Sequence, residues 1–208
     1  MFHGLNRYSE DLDFSFIKDT KSFSLGEYVL LCKNTLNSYG IDASIYTKEE
    51  YDVGEIRRRY IRFPYYDIAK EYFGNVSMNK ERVISIKIEV SSIFIDGATY
   101  EWNMLNIQGL SNVLCMDYPS LFAGKLNAIL TRKWKERVKG RDYYDYVFYL
   151  SHNIKFNLNY LKNKLKYSLD VDTSTYDLGK IKDAYQTIIV SSFSSVVKLV
   201  VCKLLYLI

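Results

Sequence analysis

Near the start of the chain stands the stretch Asn6 to Phe16, NRYSEDLDFSF, in which Leu12, Phe14 and Phe16 alternate with Asp11, Asp13 and Ser15. A period of two marks a strand with one apolar face, so the two aspartates project from the same side. Carboxylates held side by side repel, and a divalent cation bound to both would offset that repulsion and do chemistry as well. The same pattern also describes an edge strand with a solvated acidic face. A third acid, Glu89, lies in SIKIEVSS, where Ile84, Ile86, Ile88 and Val90 alternate with Ser85, Lys87, Glu89 and Ser91. If the two strands are neighbours, Glu89 meets Asp11 and Asp13 on one sheet face. Three carboxylates so placed can hold a pair of metal ions about 3.5 to 4 Å apart and orient an attacking hydroxyl, the arrangement that nucleotidyl transfer needs.

The rest of the composition narrows the choice of metal. The only histidines are His3 and His152, and the three cysteines, Cys32, Cys115 and Cys202, are far apart among apolar neighbours. No zinc-ligand spacing exists, so any metal should be hard and bound through oxygen. The cysteines read as reduced packing residues of a cytoplasmic protein.

Elements that could position the acids follow from periodicity. Ser24 and Glu27 have the spacing of a capping box, and Leu25, Val29, Cys32, Leu36 and Tyr39 recur at helical spacing until Gly40, which predicts a helix over 25–39. The segments IDASIYTK, GEIRRRYIRFPYY and RVISIKIEV read as strands, and with the acidic strand they make a mixed sheet. The arginine run Arg57, Arg58, Arg59 and Arg62 could hold phosphate or RNA, although a charged edge strand is the commoner meaning of such a run. From Asp117 the pattern becomes helical. Asp117 suits an N-cap with Pro119 in the first turn, and Leu121, Phe122, Leu126, Ile129 and Leu130 form a core stripe. Lys125 and Arg132 project from one face of that helix. In RDYYDYVFYL, Asp142 and Asp145 share a face and Arg141 can reach Asp145. Leu158, Leu161, Leu165 and Leu169 mark a further helix. The fold class expected is α+β: a sheet domain over 1–115 with an N-terminal helix, then a helical domain over 116–208.

With 208 residues, 48% hydrophobic content and a net charge of only +4, the chain can bury a substantial core and carries no dedicated nucleic-acid coat. The last 22 residues, TIIVSSFSSVVKLVVCKLLYLI from about 187, contain no acid and two lysines, Lys198 and Lys203. Their length would cross a bilayer, but each lysine costs about 2.5 to 3.5 kcal/mol near the membrane centre, so no stable membrane association is expected.

Three segments together carry a resemblance. GLNRYSEDLDFSF, IKIEVS and LFAGKLNAILTRKWKERVKGRDYYDYVFYL resemble, in order and spacing, the three motifs of the AbiEii/AbiGii toxin family, nucleotidyltransferases of the DNA polymerase β type from toxin–antitoxin and abortive-infection systems. The resemblance covers roughly residues 1 to 152. It implies the nucleotidyltransferase fold and Mg²⁺-dependent (or Mn²⁺-dependent) transfer of a nucleoside monophosphate from an NTP to an acceptor, plausibly the tRNA 3′ end or another RNA. It also implies a cognate antitoxin. Asp11, Asp13 and Glu89 would be the metal ligands and, with Lys125 neutralising phosphate charge, the catalytic set. Ser9, Arg132, Arg141, Asp142 and Asp145 would position nucleotide or acceptor. Arg7 and Ser9 also suit a purely orienting role on the acidic strand, and an Arg-Asp-x-x-Asp at a helix start also caps and charges that helix without any part in catalysis.

The pattern departs from the family in one place. Members carry a Gly-rich turn upstream of the acidic strand that cradles the triphosphate, and this sequence lacks it. That leaves the activity in doubt and keeps open an alternative: a truncated, catalytically inactive remnant or binding protein that retains the fold.

Overall fold

The computed structural model describes residues 11–18, 22–47, 56–66, 68–69, 74, 81–106, 109–131, 140–170, 172–173, 176–177, 179–181 and 183. The chain divides into two compact units, Asn6–Phe94 and the residues from Ile95 onward. The segment after Ile95 packs with the helices that follow it.

In the first unit, β1 (Asp11–Ser15), β2 (Ser44–Tyr46), β3 (Ile56–Pro64) and β4 (Val83–Ser91) form a sheet in the order β1-β4-β3-β2. β1 runs parallel to β4, and the other pairs are antiparallel. The sheet is therefore mixed, as the sequence pattern indicates. β3 lies between β4 and β2, with β2 beside it at Tyr60–Arg62, and strand alternation sends Arg58 and Arg62 to one face and Arg57 and Arg59 to the other.

Helix α1 (Leu25–Ser38) covers one face. Leu25 and Val29 are buried against Ala43, Ile61, Phe63, Ile88 and Val90, so the apolar alternates of β3 and β4 are used here. The helix ends in a Schellman arrangement: the Ile41 N–H donates to the Leu36 carbonyl at 3.1 Å and the Gly40 N–H to that of Asn37 at 3.0 Å. Gly40 sits at φ +77°, where a side chain would be strained. At the other end, Ser24 holds the N-cap position without a side-chain hydrogen bond, so the expected capping box does not close.

The second unit begins with a ribbon that the sequence pattern did not reveal, β5 (Tyr100–Asn106) paired antiparallel with β6 (Leu110–Met116). Helices α2 (Tyr118–Thr131), α3 (Gly140–Ser151) and α4 (Leu158–Leu169) follow. Asp117 caps α2 as expected, its Oδ1 accepting the Ser120 N–H at 2.9 Å. Phe122, Leu126, Ile129, Tyr146, Tyr149, Leu161 and Leu165 form the core, with the Phe122 and Tyr149 rings stacked at 4.8 Å. Asn157 caps α4 through its Oδ1 and donates through its amide to the Gly97 carbonyl at 2.8 Å. Gly97, at φ +93°, lets that loop approach closely: a Cβ there would lie 2.8 Å from the Asn159 amide nitrogen.

Among the described residues no helix is long and apolar enough to cross a membrane. The apolar segment from about 187 lies outside the described residues.

Candidate active site

The face of the first sheet turned away from α1 collects the acids. Strand alternation puts Asp11 and Asp13 on that face of β1, with Lys87 and Glu89 on β4 and Arg58 and Tyr60 on β3. Register then makes rows across the strands: Asp13, Glu89 and Arg58 in one, Asp11, Lys87 and Tyr60 in the next. Leu12, Phe14, Ile88 and Val90 are the alternate residues, turned to the side of α1, where with α1 they line an apolar groove.

Two basic side chains hold this cluster. The Lys87 ammonium lies 3.0 Å from Asp11 Oδ2 and 2.9 Å from Glu89 Oε2, bridging adjacent rows. The Arg58 Nε–H donates to Glu89 Oε1. Charge is shared unevenly as a result. Burial pushes the Asp13 carboxyl up, and the neighbouring charges of Glu89 and Asp11 push the same way, outweighing Lys87. For Glu89, burial also pushes upward, but hydrogen bonds from Lys87 and Arg58 outweigh it and hold the carboxyl below its ordinary range. Burial pulls Lys87 down, and its bonds to Glu89 and Asp11 more than reverse that. The cluster thus has a firmly ionised Glu89 beside an Asp13 with raised proton affinity.

Three carboxylates and no nitrogen or sulfur ligand make a hard, all-oxygen donor set of the kind Mg²⁺ or Mn²⁺ takes. As the side chains stand, no three Asp, Glu, His or Cys among the described residues close around a point that would hold a metal ion. The reason is visible in the cluster itself. The Lys87 ammonium occupies the position between Asp11 and Glu89 that a shared cation would take. Donor chemistry fits a divalent ion, and lysine must swing away to admit one.

A second cluster lies in the other unit. Asp142 and Asp145, one turn apart on α3, are each 1% exposed, and the Lys125 ammonium from α2 lies 3.3 Å from Asp142 Oδ1 and 2.8 Å from Asp145 Oδ2. Their common face was legible from spacing; that Lys125 holds both was not, because it depends on how α2 packs on α3. Arg141 stands exposed in the first turn of α3. Ser9 and Arg132, like Arg7, lie outside the described residues. Sequence reasoning gave Lys87 a place on the acid face but no role, and it left Arg58 undistinguished within its run. The alternation that selected Glu89 also selects Lys87 two residues before it, which is the signal that could have been used.

Compared with known families, residues 1–192 match the family model described as nucleotidyl transferase AbiEii toxin, type IV toxin–antitoxin system. The chain belongs to this family. The match spans both units, from the acid-bearing sheet through the helices with Lys125, Asp142 and Asp145. As a member of the AbiEii family the chain is a toxin-type nucleotidyltransferase of a type IV system, a setting that implies a cognate antitoxin. No curated protein and no solved structure matches it.

Proposed function

We propose that the chain transfers a nucleoside monophosphate from an NTP to a hydroxyl of an RNA acceptor, the 3′ end of a tRNA, with Mg²⁺ or Mn²⁺ as cofactor. The observation that carries this reading is the direct register of Asp13 with Glu89 across β1 and β4, with Asp11 one row away on the same face. When bound, the metal would be held by Asp11, Asp13 and Glu89 and would supply positive charge to the triphosphate. Glu89, kept ionised by Arg58, orients the acceptor hydroxyl and draws on its proton. Lys87, displaced from the acids by the metal, would keep its ammonium on the same sheet face to pair with phosphate oxygens. Lys125 offers a further ammonium, held in place by two buried aspartates. Arg141 contacts nucleotide or acceptor in this reading, and Asp142 and Asp145 serve by fixing Lys125.

The test is incubation with labelled NTPs, Mg²⁺ and total RNA. Wild-type protein is expected to move label into RNA, and Asp11→Asn or Asp13→Asn to lower the rate by about 10²-fold or more while the fold persists. Absence of transfer by wild-type protein, or undiminished transfer by both variants, overturns it. The tight Lys87 and Arg58 contacts would equally suit a folded protein without activity, which the same assay separates.

A further inference from the structure

Beyond the acids on the same sheet face lies a feature that phosphoryl chemistry does not use. One row past Lys87, Ser44, Arg62 and Ser85 are partners across β2, β3 and β4. The Arg62 guanidinium carbon lies 3.5 Å from the centre of the Tyr46 ring, and Tyr46 meets Tyr60 edge-on at 6.3 Å. At that separation the guanidinium can only lie over the face of the ring, so cation–π attraction fixes it as a flat cationic plate. Ser44, Arg62 and Ser85, with Asp42, Pro64 and Val83, line an open depression of about 440 Å³. That volume lies within the range of about 300 to 1,000 Å³ typical of small-molecule sites.

The lining decides the class of ligand. A phosphate would gain from Arg62, but it would meet the Asp42 carboxylate and an apolar wall of Pro64 and Val83. A nucleobase suits the lining: its flat ring stacks on the guanidinium, its apolar surface meets proline and valine, and its edge meets the Ser85 hydroxyl and the Ser44 hydroxyl, which donates to the Arg62 carbonyl at 3.2 Å and keeps acceptor capacity. The position also fits. Arg62 is four residues along β3 from Arg58, which faces Glu89, so at about 3.3 Å per residue the plate lies about 13 Å from the acids. That is within the reach of a few nucleotides.

We propose that Arg62 stacked on Tyr46 forms a nucleobase subsite, which takes an unpaired base of the acceptor strand when its terminal hydroxyl lies at the acids. The choice of RNA as the occupant rests on the nucleotidyl-transfer reading; the stacking chemistry does not. The base could instead belong to the NTP, and the experiment distinguishes the two.

Binding is measured by fluorescence anisotropy in EDTA, with a labelled uridine hexamer and a hexamer of abasic residues of equal charge. Unlabelled ATP and base-free ribose triphosphate serve as competitors. The base-bearing hexamer is expected to bind about ten-fold tighter than the abasic one. Arg62→Lys, which keeps the charge and loses the plate, and Tyr46→Leu are each expected to abolish that preference, with circular dichroism confirming the fold. A preference found only between ATP and ribose triphosphate supports the subsite and assigns it to the NTP. Equal binding of base-bearing and base-free forms in both pairs, or an unchanged preference in Arg62→Lys, overturns it. A 4-thiouridine hexamer crosslinked to wild-type protein needs no variant: attachment within 42–46, 60–64 or 83–85 supports the subsite, and attachment confined elsewhere overturns it. Label transfer is scored separately, so wild-type protein that shows the base preference without transferring label refutes the catalytic reading alone.

Discussion

Asp13 and Glu89 face each other across two strands and are driven in opposite directions by their surroundings. A carboxyl whose proton affinity is raised by folding adds stability only while protonated. Asp13's contribution is therefore present below its ordinary value of 3.8 and is lost as pH rises through the raised folded value. Asp13→Asn removes the penalty, and because the site is partly open to solvent the gain is modest: a melting temperature in EDTA about 2 °C above wild type at pH 7, with the difference vanishing near pH 3. Glu89 has the reverse sign, its contribution present above 4.5 and lost as pH falls through the lowered folded value, so Glu89→Gln should lower the melting temperature at pH 7. Calorimetry of both variants checks the pair, and shifts of the same sign in both would show that the charge assignment is mistaken. Lys87→Met should destabilise the metal-free protein by leaving two acids without their shared cation, while strengthening Mn²⁺ binding measured by titration.

At the scale of elements, the capping and bracing of α2 make separate predictions. Hydrogen bonds from Thr99 and Ser120 outweigh burial and keep the Asp117 carboxyl low. Asp117→Ala should cost about 1 kcal/mol at pH 7, and the difference should close as pH falls through that lowered value. Lys125→Met leaves two carboxylates buried without their ammonium and should cost about 3 kcal/mol in urea denaturation, enough to blur any activity loss with unfolding. Which elements were legible follows from how each meets solvent. β4 and α1 each place one face on a core and the other outside, so period and placement coincide there, while on β1 the alternation alone set the two aspartates on one face, its Leu12 and Phe14 staying exposed. β5 and β6 form a two-stranded ribbon with Trp102 70% and Met104 66% exposed, so apolar residues there do not mark an inside. The position of β3 between β4 and β2, and with it the facing of Arg58 toward Glu89, is a matter of partner choice that no strand carries in its own sequence.

Among the described residues there are two cores that share no residue, one around Val29, Ile61 and Ile88 and one around Phe122, Tyr146 and Leu161. Phe122→Ala should cost about 3 to 5 kcal/mol and Ile61→Ala about 2 to 5, and the double variant should lose the sum within about 0.5 kcal/mol. A larger deviation in denaturant titration would mean that the cores are energetically joined. The sheet's outline has a consequence of its own. Among the described residues β1 borders the sheet with β4 as its single neighbour, and its Leu12 and Phe14 are 44% and 55% exposed. Any extended peptide that zips along this open margin widens the sheet at the strand bearing both aspartates. Clumping and loss of catalytic competence would then have one origin, and preparations that cloud on concentration should be found already dulled toward their substrates.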